Sequence, residues 1–182
     1  MAAQPQNVIL VGANPAIRLY DGDEMTAFAS VWIVDWSERG KGAAVVLWHA
    51  NQVRVLCPSR ELGRWLSQDF TRHFPEVAGL PWPDPAVERT EVAISLDPEF
   101  GLLASARDVT VEMSGALDRR VVAAEAVELD GVPHGLSLVL TPMRDGYVMA
   151  GGAHLPGEVR LDEAPEGPIS TACLATAEVW RR

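Results

Sequence analysis

Three polar side chains stand on late, largely apolar segments of the chain and are the first candidates for chemistry. Thr176 and Glu178 lie within CLATAEVW, and Tyr147 follows an Asp-Gly pair in RDGYVMA. A carboxyl group that points into an apolar cavity has a raised pKa and can act as an acid or base, and a hydroxyl group there can polarise a substrate. We therefore predict Tyr147, Thr176 and Glu178 as catalytic residues. The alternative is that Thr176 and Glu178 face solvent.

Aromatic residues supply the candidate walls of such a cavity. The stretch SVWIVDWSERGKGAAVVLW, residues 30–48, holds three of the six tryptophans. We predict that Phe28, Trp32, Trp36 and Trp48 bind an apolar ligand, because ligand pockets are lined mainly by apolar side chains. Small residues in STACLATA and MAGGAH would leave the space that the ligand fills. The alternative is that the tryptophans are ordinary core residues.

Motif spacing opposes several other kinds of site. His49, His73, His134 and His154 form no HxH, HxxxH or HExxH pattern, so we predict no metal site. The sequence has neither a GxSxG motif nor a cysteine beside a histidine, so no signature of a catalytic serine or cysteine nucleophile is present. VGANP, after the first predicted strand, lacks the GxGxxG pattern of dinucleotide-binding proteins. We therefore predict that the protein uses no cofactor.

Charge and cysteine content restrict the partners and the compartment. A formal charge of −10 with scattered arginines opposes nucleic-acid binding, which needs a basic face. Cys57 and Cys173 are far apart in the chain, and we expect free thiols, which fit a reducing cytoplasm. The apolar run from Val8 to Val11 is too short for a signal peptide or a membrane span, so we expect no membrane partner. Lys41, the only lysine, together with abundant Ala, Val, Gly and Arg, suggests a GC-rich bacterial genome.

The elements that would position these residues are mostly strands. Turn sequences such as YDGD, SERGKG, LDGV and RDGY separate apolar or alternating segments, and Asp-Gly pairs favour antiparallel hairpins. Alternation in ERTEVAISLD, DVTVEM and HGLSLVLTPM places apolar residues on one face of each strand. We predict an all-β single domain over residues 1–182, with about eight to eleven mostly antiparallel strands that close into a barrel. A β-sandwich is the alternative.

One segment has the period of a helix. In SRELGRWLSQDFTRHF, residues 59–74, apolar residues recur at intervals of three and four. They are Leu62, Trp65, Leu66, Phe70 and Phe74. We predict an amphipathic helix with Ser59 as its N-cap. Pro75 ends it, and GLPWPDP should run as an irregular crossover over one end of the sheet.

The tryptophan-rich hairpin is apolar on both faces. With a SERGKG loop centred on Gly40, Trp32 would face Trp48 and Trp36 would face Ala44. Both faces must then be covered, one by the interior of the fold and the other by the helix or a partner chain. We accordingly predict that Trp32, Trp36 and Trp48 are protected from solvent.

The antiparallel meander, the single helix and the aromatic hairpin together resemble a lipocalin-type (calycin-like) barrel. The tryptophans of SVWIVDW do not reproduce the lipocalin G-x-W, so no functional residue is transferred. The resemblance implies a lipophilic small-molecule ligand. It also suggests a likeness to small bacterial barrel enzymes that cyclise polyketide-type substrates. A cofactor-independent cyclase or isomerase needs mainly shape, aromatic walls and a few hydrogen-bond donors.

A second hypothesis belongs to a different class. The chain would then be a non-catalytic β-domain whose exposed apolar strand face mediates self-association, for example as a homodimer, or docks a partner. A filled interior with an apolar outer patch would favour it over a ligand-binding cavity.

Overall fold

Strands make up most of the protein in this computed structural model, which describes residues 7–181 apart from the side chain of Glu125. The strands are β1 (Asn7–Ala13), β2 (Ala16–Asp21), β3 (Glu24–Ser37), β4 (Gly42–His49), β5 (Gln52–Cys57), β6 (Ala86–Arg89), β7 (Ala93–Asp97), β8 (Gly101–Ala106), β9 (Val109–Ala116), β10 (Arg120–Leu129), β11 (Val132–Ala150), β12 (Ala153–His154), β13 (Leu161–Ala164), β14 (Gly167–Ser170) and β15 (Ala172–Arg181). These 15 strands exceed the predicted number, partly because short pairs such as β13 and β14 form beside the main sheet.

Thirteen of these strands form one sheet, in the order β6-β5-β4-β3-β1-β15-β11-β9-β8-β7, with β2, β10 and β12 attached beside this path. The ladders are antiparallel, as predicted, except for the parallel pair β5 and β6. A parallel pair needs a long crossover connection, and the helical segment lies within that connection.

The strands at the two ends of the sheet, β6 and β7, follow one another in the chain. β6 and β7 are joined by residues 90–92, yet no ladder connects them within residues 7–181. Leu56 on β5 and Leu102 on β8 nonetheless share one buried cluster, so the sheet rolls toward itself. A closed barrel requires an unbroken ring of ladders. The predicted mainly antiparallel β fold with one helical segment is confirmed, whereas the described sheet is open.

One face of the rolled sheet encloses a cluster that we call the inner core. Its buried members are Ile17, Leu19, Ala27, Ala29, Val31, Val45, Leu47, Leu56, Leu102, Ala104, Ala106, Val109, Val111, Met113, Met143, Val148, Ala172 and Leu174. They come from strands near both ends of the sheet, and the described members include no aromatic side chain. The alternating segments of β7 and β9 face this core, as their sequences predicted.

The other face carries a second cluster, the outer core, beneath the helical segment. Its buried members are Ile9, Leu10, Phe28, Trp32, Val34, Ala44, Val46, Trp48, Val53, Val55, Cys57, Leu62, Leu66, Phe70, Val77, Leu129 and Val179. Both faces of the β3–β4 hairpin are therefore covered, one by each core, as predicted.

The helical segment begins as α1 (Arg60–Trp65) and continues through a π-helical turn (Leu66–Phe70) and a 3-10 turn (Thr71–His73). Ser59 caps it, since its hydroxyl oxygen accepts a hydrogen bond from the Leu62 amide at 3.2 Å. The predicted cap and a helical segment are confirmed, whereas the α-helix itself is shorter than the predicted residues 59–74 because it passes into the π-helical and 3-10 turns. Pro75 starts a further 3-10 turn (Pro75–Val77), after which the chain runs without regular structure to β6, as predicted.

Gly63 allows the helix to lie close to β5. A Cβ atom at this position would stand 2.9 Å from the Cβ of Cys57 and 3.0 Å from a methyl group of Val55. Such contacts are closer than packed carbon atoms tolerate. A larger residue here would push the helix away from the sheet that it covers.

The pairing of the β3–β4 hairpin corrects the predicted register. Trp32 pairs with Ala44 and Phe28 pairs with Trp48. Because the shift from the prediction is an even number of residues, each side chain stays on its predicted face. Trp36 lies beyond the last pair of this ladder and is 51% exposed, so the prediction that it is protected was wrong. Trp32 and Trp48 are buried, as predicted.

An ion-pair network links strands from the two ends of the sheet. Arg54 on β5 donates hydrogen bonds to Glu88 on β6 at 2.8 and 3.1 Å, and to Asp108 in the β8–β9 turn at 2.7 and 3.1 Å. The amide of Gly151 also donates to Asp108, at 2.9 Å. Hydrogen bonds from Arg54 hold the pKa of Asp108 well below its usual range.

Candidate functional site

A pocket of about 470 Å³ lies on the outer side of the sheet, between the end of the helical segment and the strands β10, β11 and β15. Its volume is within the range of small-molecule sites. The lining residues are Asn14, Ala16, Trp32, Phe70, His73, Phe74, Pro75, Glu76, Val127, Glu128, Leu129, His134, Leu136, Leu138, Leu140, Cys173, Ala175, Ala177 and Val179. Most of these side chains are apolar.

The floor of the pocket is a regular patch of two neighbouring strands. Alternate residues of β15 line it: Cys173, Ala175, Ala177 and Val179. Alternate residues of β11 line it as well: Leu136, Leu138 and Leu140. The two sets are direct cross-strand partners, because Leu136 pairs with Val179, Leu138 with Ala177, and Leu140 with Ala175. Because Ala175 and Ala177 have short side chains, the pocket is deeper over β15 than it would be over leucines.

The aromatic wall is built where the helix ends. The rings of Phe70 and Phe74 lie 5.7 and 6.0 Å from the ring of Trp32. The Trp32 indole donates a hydrogen bond to the Thr71 hydroxyl at 3.2 Å, and that hydroxyl donates to the Leu66 carbonyl at 2.9 Å. Because the polar edge of Trp32 is satisfied within the protein, the indole offers the pocket an apolar surface.

The wide turn of the helix positions this wall. The amide of Thr71 reaches back to the carbonyl of Leu66, a spacing of five residues that characterises a π-helical turn. The extra residue in the turn places Phe70 and Thr71 side by side against Trp32. The local irregularity thus holds the Trp32 indole against the end of the helix.

A few polar side chains are spaced around the apolar surface. Asn14 is held by two hydrogen bonds from its amide nitrogen, to the Ser30 hydroxyl at 2.8 Å and the Val31 carbonyl at 3.0 Å. Glu76, Glu128 and His73 are also in the lining, and no arginine or lysine is among the lining residues. The permanent charges at the pocket are therefore negative.

His134 is the most buried of the polar lining residues. Its side chain is at the start of β11, and the residue is 6% exposed. Its Nδ1 atom lies 2.8 Å from the Val132 carbonyl oxygen. The ring is therefore anchored to the main chain of its own strand.

Cys173 contributes a neutral thiol to the floor. Burial raises the pKa of Cys173 to about 11, so the thiolate is scarce at neutral pH. Cys57 is buried beneath the helix, where burial also raises its pKa. Both cysteines are free, as predicted. Cys173 therefore serves as a wall of the pocket rather than as an activated nucleophile.

The structure separates the four aromatic residues predicted to bind ligand. Trp32 lines the pocket. Phe28 and Trp48 belong to the outer core, and the indole of Trp48 donates to the Pro81 carbonyl at 2.9 Å beneath the crossover. Trp36 is exposed near the hairpin loop. Phe28, Trp36 and Trp48 are not among the residues that line the pocket.

Tyr147, the first predicted catalytic residue, lies on the section of β11 that pairs with β9. Its hydroxyl donates a hydrogen bond to Glu112, which raises the pKa of Tyr147. Its ring packs against that of His154 at 4.7 Å. Tyr147 is therefore engaged with neighbouring strands and does not line the pocket.

Thr176 and Glu178, the other predicted catalytic residues, alternate along β15 with the floor residues. Successive side chains of a strand point to opposite faces, so both point away from the pocket. Both are exposed. They occupy the solvent-facing positions that were the alternative to a catalytic role.

Several lining residues were missed by the sequence reasoning, although one signal was present. In ATAEV, residues 175–179, small and apolar residues occupy alternate positions and polar residues the positions between them, which marks one buried face of a strand. His134 lies two residues after the LDGV turn, and its burial depends on the strands packed around it. Nothing in the sequence connects these segments to Asn14 or to the end of the helix.

Within residues 7–181, no group of three or more His, Cys, Asp or Glu side chains is arranged to hold a metal ion. In the same part of the chain, no helix has the length and apolar character needed to cross a membrane.

Comparisons with known proteins supply no relative from which a role could be transferred. No family model matches the chain, and neither the curated proteins nor the solved structures give a match. The function must therefore be argued from the pocket itself.

Proposed function

We propose that this protein binds a neutral, apolar small molecule in the pocket between the end of the helix and the β11–β15 floor. The observation that carries the proposal is a space of about 470 Å³ bounded by Trp32, Phe70 and Phe74 on one side and by the alternating leucines and alanines on the other. Removing an apolar ligand from water into such a space is favourable by about 25 cal/mol per Å² of buried apolar surface.

The charges around the pocket favour a neutral ligand over an anionic one. Glu76 and Glu128 line the pocket, and Asp130 lies 3.7 Å from His73 at its edge. A bound carboxylate or sulfonate would be close to these negative groups without an arginine or lysine among the lining residues. Desolvating an anion without a cationic partner is costly. Fatty-acid-like ligands are therefore disfavoured.

The proposal does not depend on the resemblance to lipocalin-type proteins. That resemblance implies a ligand inside a barrel, whereas this pocket is on the opposite side of the sheet from the inner core. A cyclase or isomerase acting on a polyketide-type substrate would be a narrower form of the same proposal. Its polar groups would have to come from the pocket lining, because Tyr147, Thr176 and Glu178 lie elsewhere.

A matched pair of fluorescent probes tests the proposal. N-phenyl-1-naphthylamine is neutral, and 1-anilinonaphthalene-8-sulfonate has the same ring system with an added sulfonate. We expect saturable binding of one equivalent of the neutral probe, and binding of the sulfonate weaker by tenfold or more. Absence of saturable binding of the neutral probe would contradict the proposal, and equal affinities would contradict its preference for neutral ligands.

Two alanine substitutions locate the bound probe. Ala175→Leu adds three carbon atoms to the floor and should abolish binding of N-phenyl-1-naphthylamine. Ala93→Leu makes the same change at an exposed site on β7 and should leave binding unchanged. If both variants bound the probe equally well, the probe would be bound somewhere other than the pocket.

A second candidate function, self-association, is favoured by the free edge of β10. Within the described residues, β10 forms a backbone ladder only with β11, and Val121 is 77% exposed. A second copy could add its own β10 antiparallel to this edge. With Ala124 at the centre, Arg120 of each copy would stand opposite Glu128 of the other, an oppositely charged pair. The oligomeric state of the protein tests this candidate.

A further inference from the structure

We propose that the pocket selects apolar ligands that carry a hydroxyl group or a similar hydrogen-bond donor, and that Nε2 of His134 accepts this hydrogen bond. The inference rests on the proposed function, because it assigns the polar part of a ligand whose apolar part fills the same pocket.

The geometry of His134 determines which ring nitrogen can accept a hydrogen bond from a ligand. Nδ1 lies 2.8 Å from the Val132 carbonyl oxygen, and a carbonyl oxygen can only accept a hydrogen bond. Nδ1 must therefore carry the proton and donate it. In the neutral ring, Nε2 is then left with a lone pair and acts as an acceptor.

We expect that acceptor to face the pocket, because the other ring nitrogen is held at the main chain. Nδ1 faces the main chain of β11, so the opposite edge of the ring, which bears Nε2, faces away from the strand. His134 lines the pocket and is 6% exposed. Within residues 7–181 Nε2 has no hydrogen-bond partner in the protein, and it is not among the fully buried side-chain atoms that lack one, so it keeps some contact with solvent. A ligand that covers Nε2 removes this acceptor from water, which is unfavourable unless the ligand itself supplies a hydrogen-bond donor.

The surrounding residues make the choice of ligand group specific. Leu136, next but one along β11, and Leu138 are apolar, so a ligand beside His134 would lie on an apolar part of the floor. The Trp32 indole and the Asn14 amide nitrogen already donate to the protein. A hydroxyl group placed at His134 would thus satisfy an acceptor that an ether or a hydrocarbon of the same shape would leave unpaired.

Binding of two matched ligands to the full-length protein tests the assignment. 2-Naphthol has a hydroxyl donor, and 2-methoxynaphthalene replaces it with an ether of the same ring system. At pH 8, we expect the wild-type protein to bind 2-naphthol about fivefold more tightly, a ratio typical of one net hydrogen bond. Isothermal titration calorimetry or equilibrium dialysis measures both affinities.

Two variants identify the acceptor. His134→Leu should lower the affinity ratio to about one, because it removes Nε2 and keeps an apolar side chain in its place. His134→Gln can present its amide oxygen near the same position and should recover part of the preference for 2-naphthol. Circular dichroism and urea denaturation establish that each variant is folded before its affinities are compared.

The outcomes distinguish this inference from the proposed function. If neither naphthalene compound nor N-phenyl-1-naphthylamine bound the wild-type protein, the proposed function would fail, and the inference with it. If both naphthalene compounds bound the wild-type protein equally well, or if His134→Leu kept the fivefold preference, only the inference would be overturned.

A spectroscopic measurement tests the acceptor without a ligand or a substitution. Long-range proton–nitrogen correlation spectra distinguish a protonated ring nitrogen from one with a free lone pair. For the neutral His134 ring we expect Nδ1 to be protonated and Nε2 to be unprotonated. The opposite tautomer would place a donor in the pocket and would overturn the assignment.

Discussion

The two faces of the same sheet are closed in different ways. The inner core receives side chains from strands near both ends of the rolled sheet, so it is surrounded by strands and filled with aliphatic groups. The outer core is covered by a short helical segment and the crossover that follows it. That cover lies over β3, β4 and β5, while the outer faces of β11 and β15 continue beyond it.

This difference explains why the pocket lies outside the roll. A face enclosed by strands can pack to the density of a protein interior. A face covered by one short helix is packed only as far as the helix extends, and the pocket begins at the end of the helical segment and the 3-10 turn that follows it, over residues 70–76. The pocket therefore arises where the cover ends.

The largest expected effect comes from making the same substitution on the two faces. Ala104 on β8 is fully buried in the inner core, and Ala104→Leu should overpack it and lower the free energy of unfolding by about 1 to 3 kcal/mol. Ala175 lines the pocket, so Ala175→Leu should change that free energy by less than about 1 kcal/mol. Urea denaturation measures both. Equal destabilisation would mean that the pocket is packed as tightly as the inner core.

A smaller effect is expected at the network that links the two ends of the sheet. The pKa of Asp108 is held low by Arg54 in the folded protein, whereas an unfolded aspartate titrates at about 4. The unfolded chain thus takes up this proton first as the pH falls. The stabilisation is fully present above about pH 4 and is lost as the pH drops below that value.

Asp108→Asn should therefore show less acid destabilisation than the wild type between pH 5 and pH 3. Urea midpoints across this range provide the measurement. The difference should be modest, because the Asp108 side chain is 40% exposed and water weakens the ion pair. Asp35→Asn, at an exposed site on the hairpin, is the control and should follow the wild type. An unchanged acid response in Asp108→Asn would show that the network does not couple to folding.

The smallest effect on stability is expected at the uncovered edge of the sheet. Val121→Lys places a charge on the free edge of β10 and should change the free energy of unfolding by less than about 0.5 kcal/mol. Sedimentation velocity should nonetheless detect a concentration-dependent dimer of the wild type that the variant lacks. Phe100→Lys, at another exposed apolar residue, should still dimerise. A wild type that is monomeric at all concentrations would exclude this mode of self-association.

The sequence by itself determined the local elements and their faces. Alternation predicted that the two sides of the β3–β4 hairpin are apolar and covered, and the period of three and four predicted the helix with its Ser59 cap. These predictions hold because period and capping depend on residues close together in the chain. The same information could not set the hairpin register, since pairing Trp32 with Ala44 or with Trp48 puts the same side chains on each face.

Only the tertiary structure decided which apolar surfaces close and which remain open. The pocket joins Asn14, Trp32, the end of the helix, His134 and alternate residues of β15, which are separated by long stretches of sequence. Thr176 and Ala175 are neighbours in the chain, yet one faces solvent and the other lines the pocket. Which side of β15 becomes the floor depends on where the sheet rolls and how far the helix reaches over it. Both are set by long-range packing, which a local pattern of apolar residues does not specify.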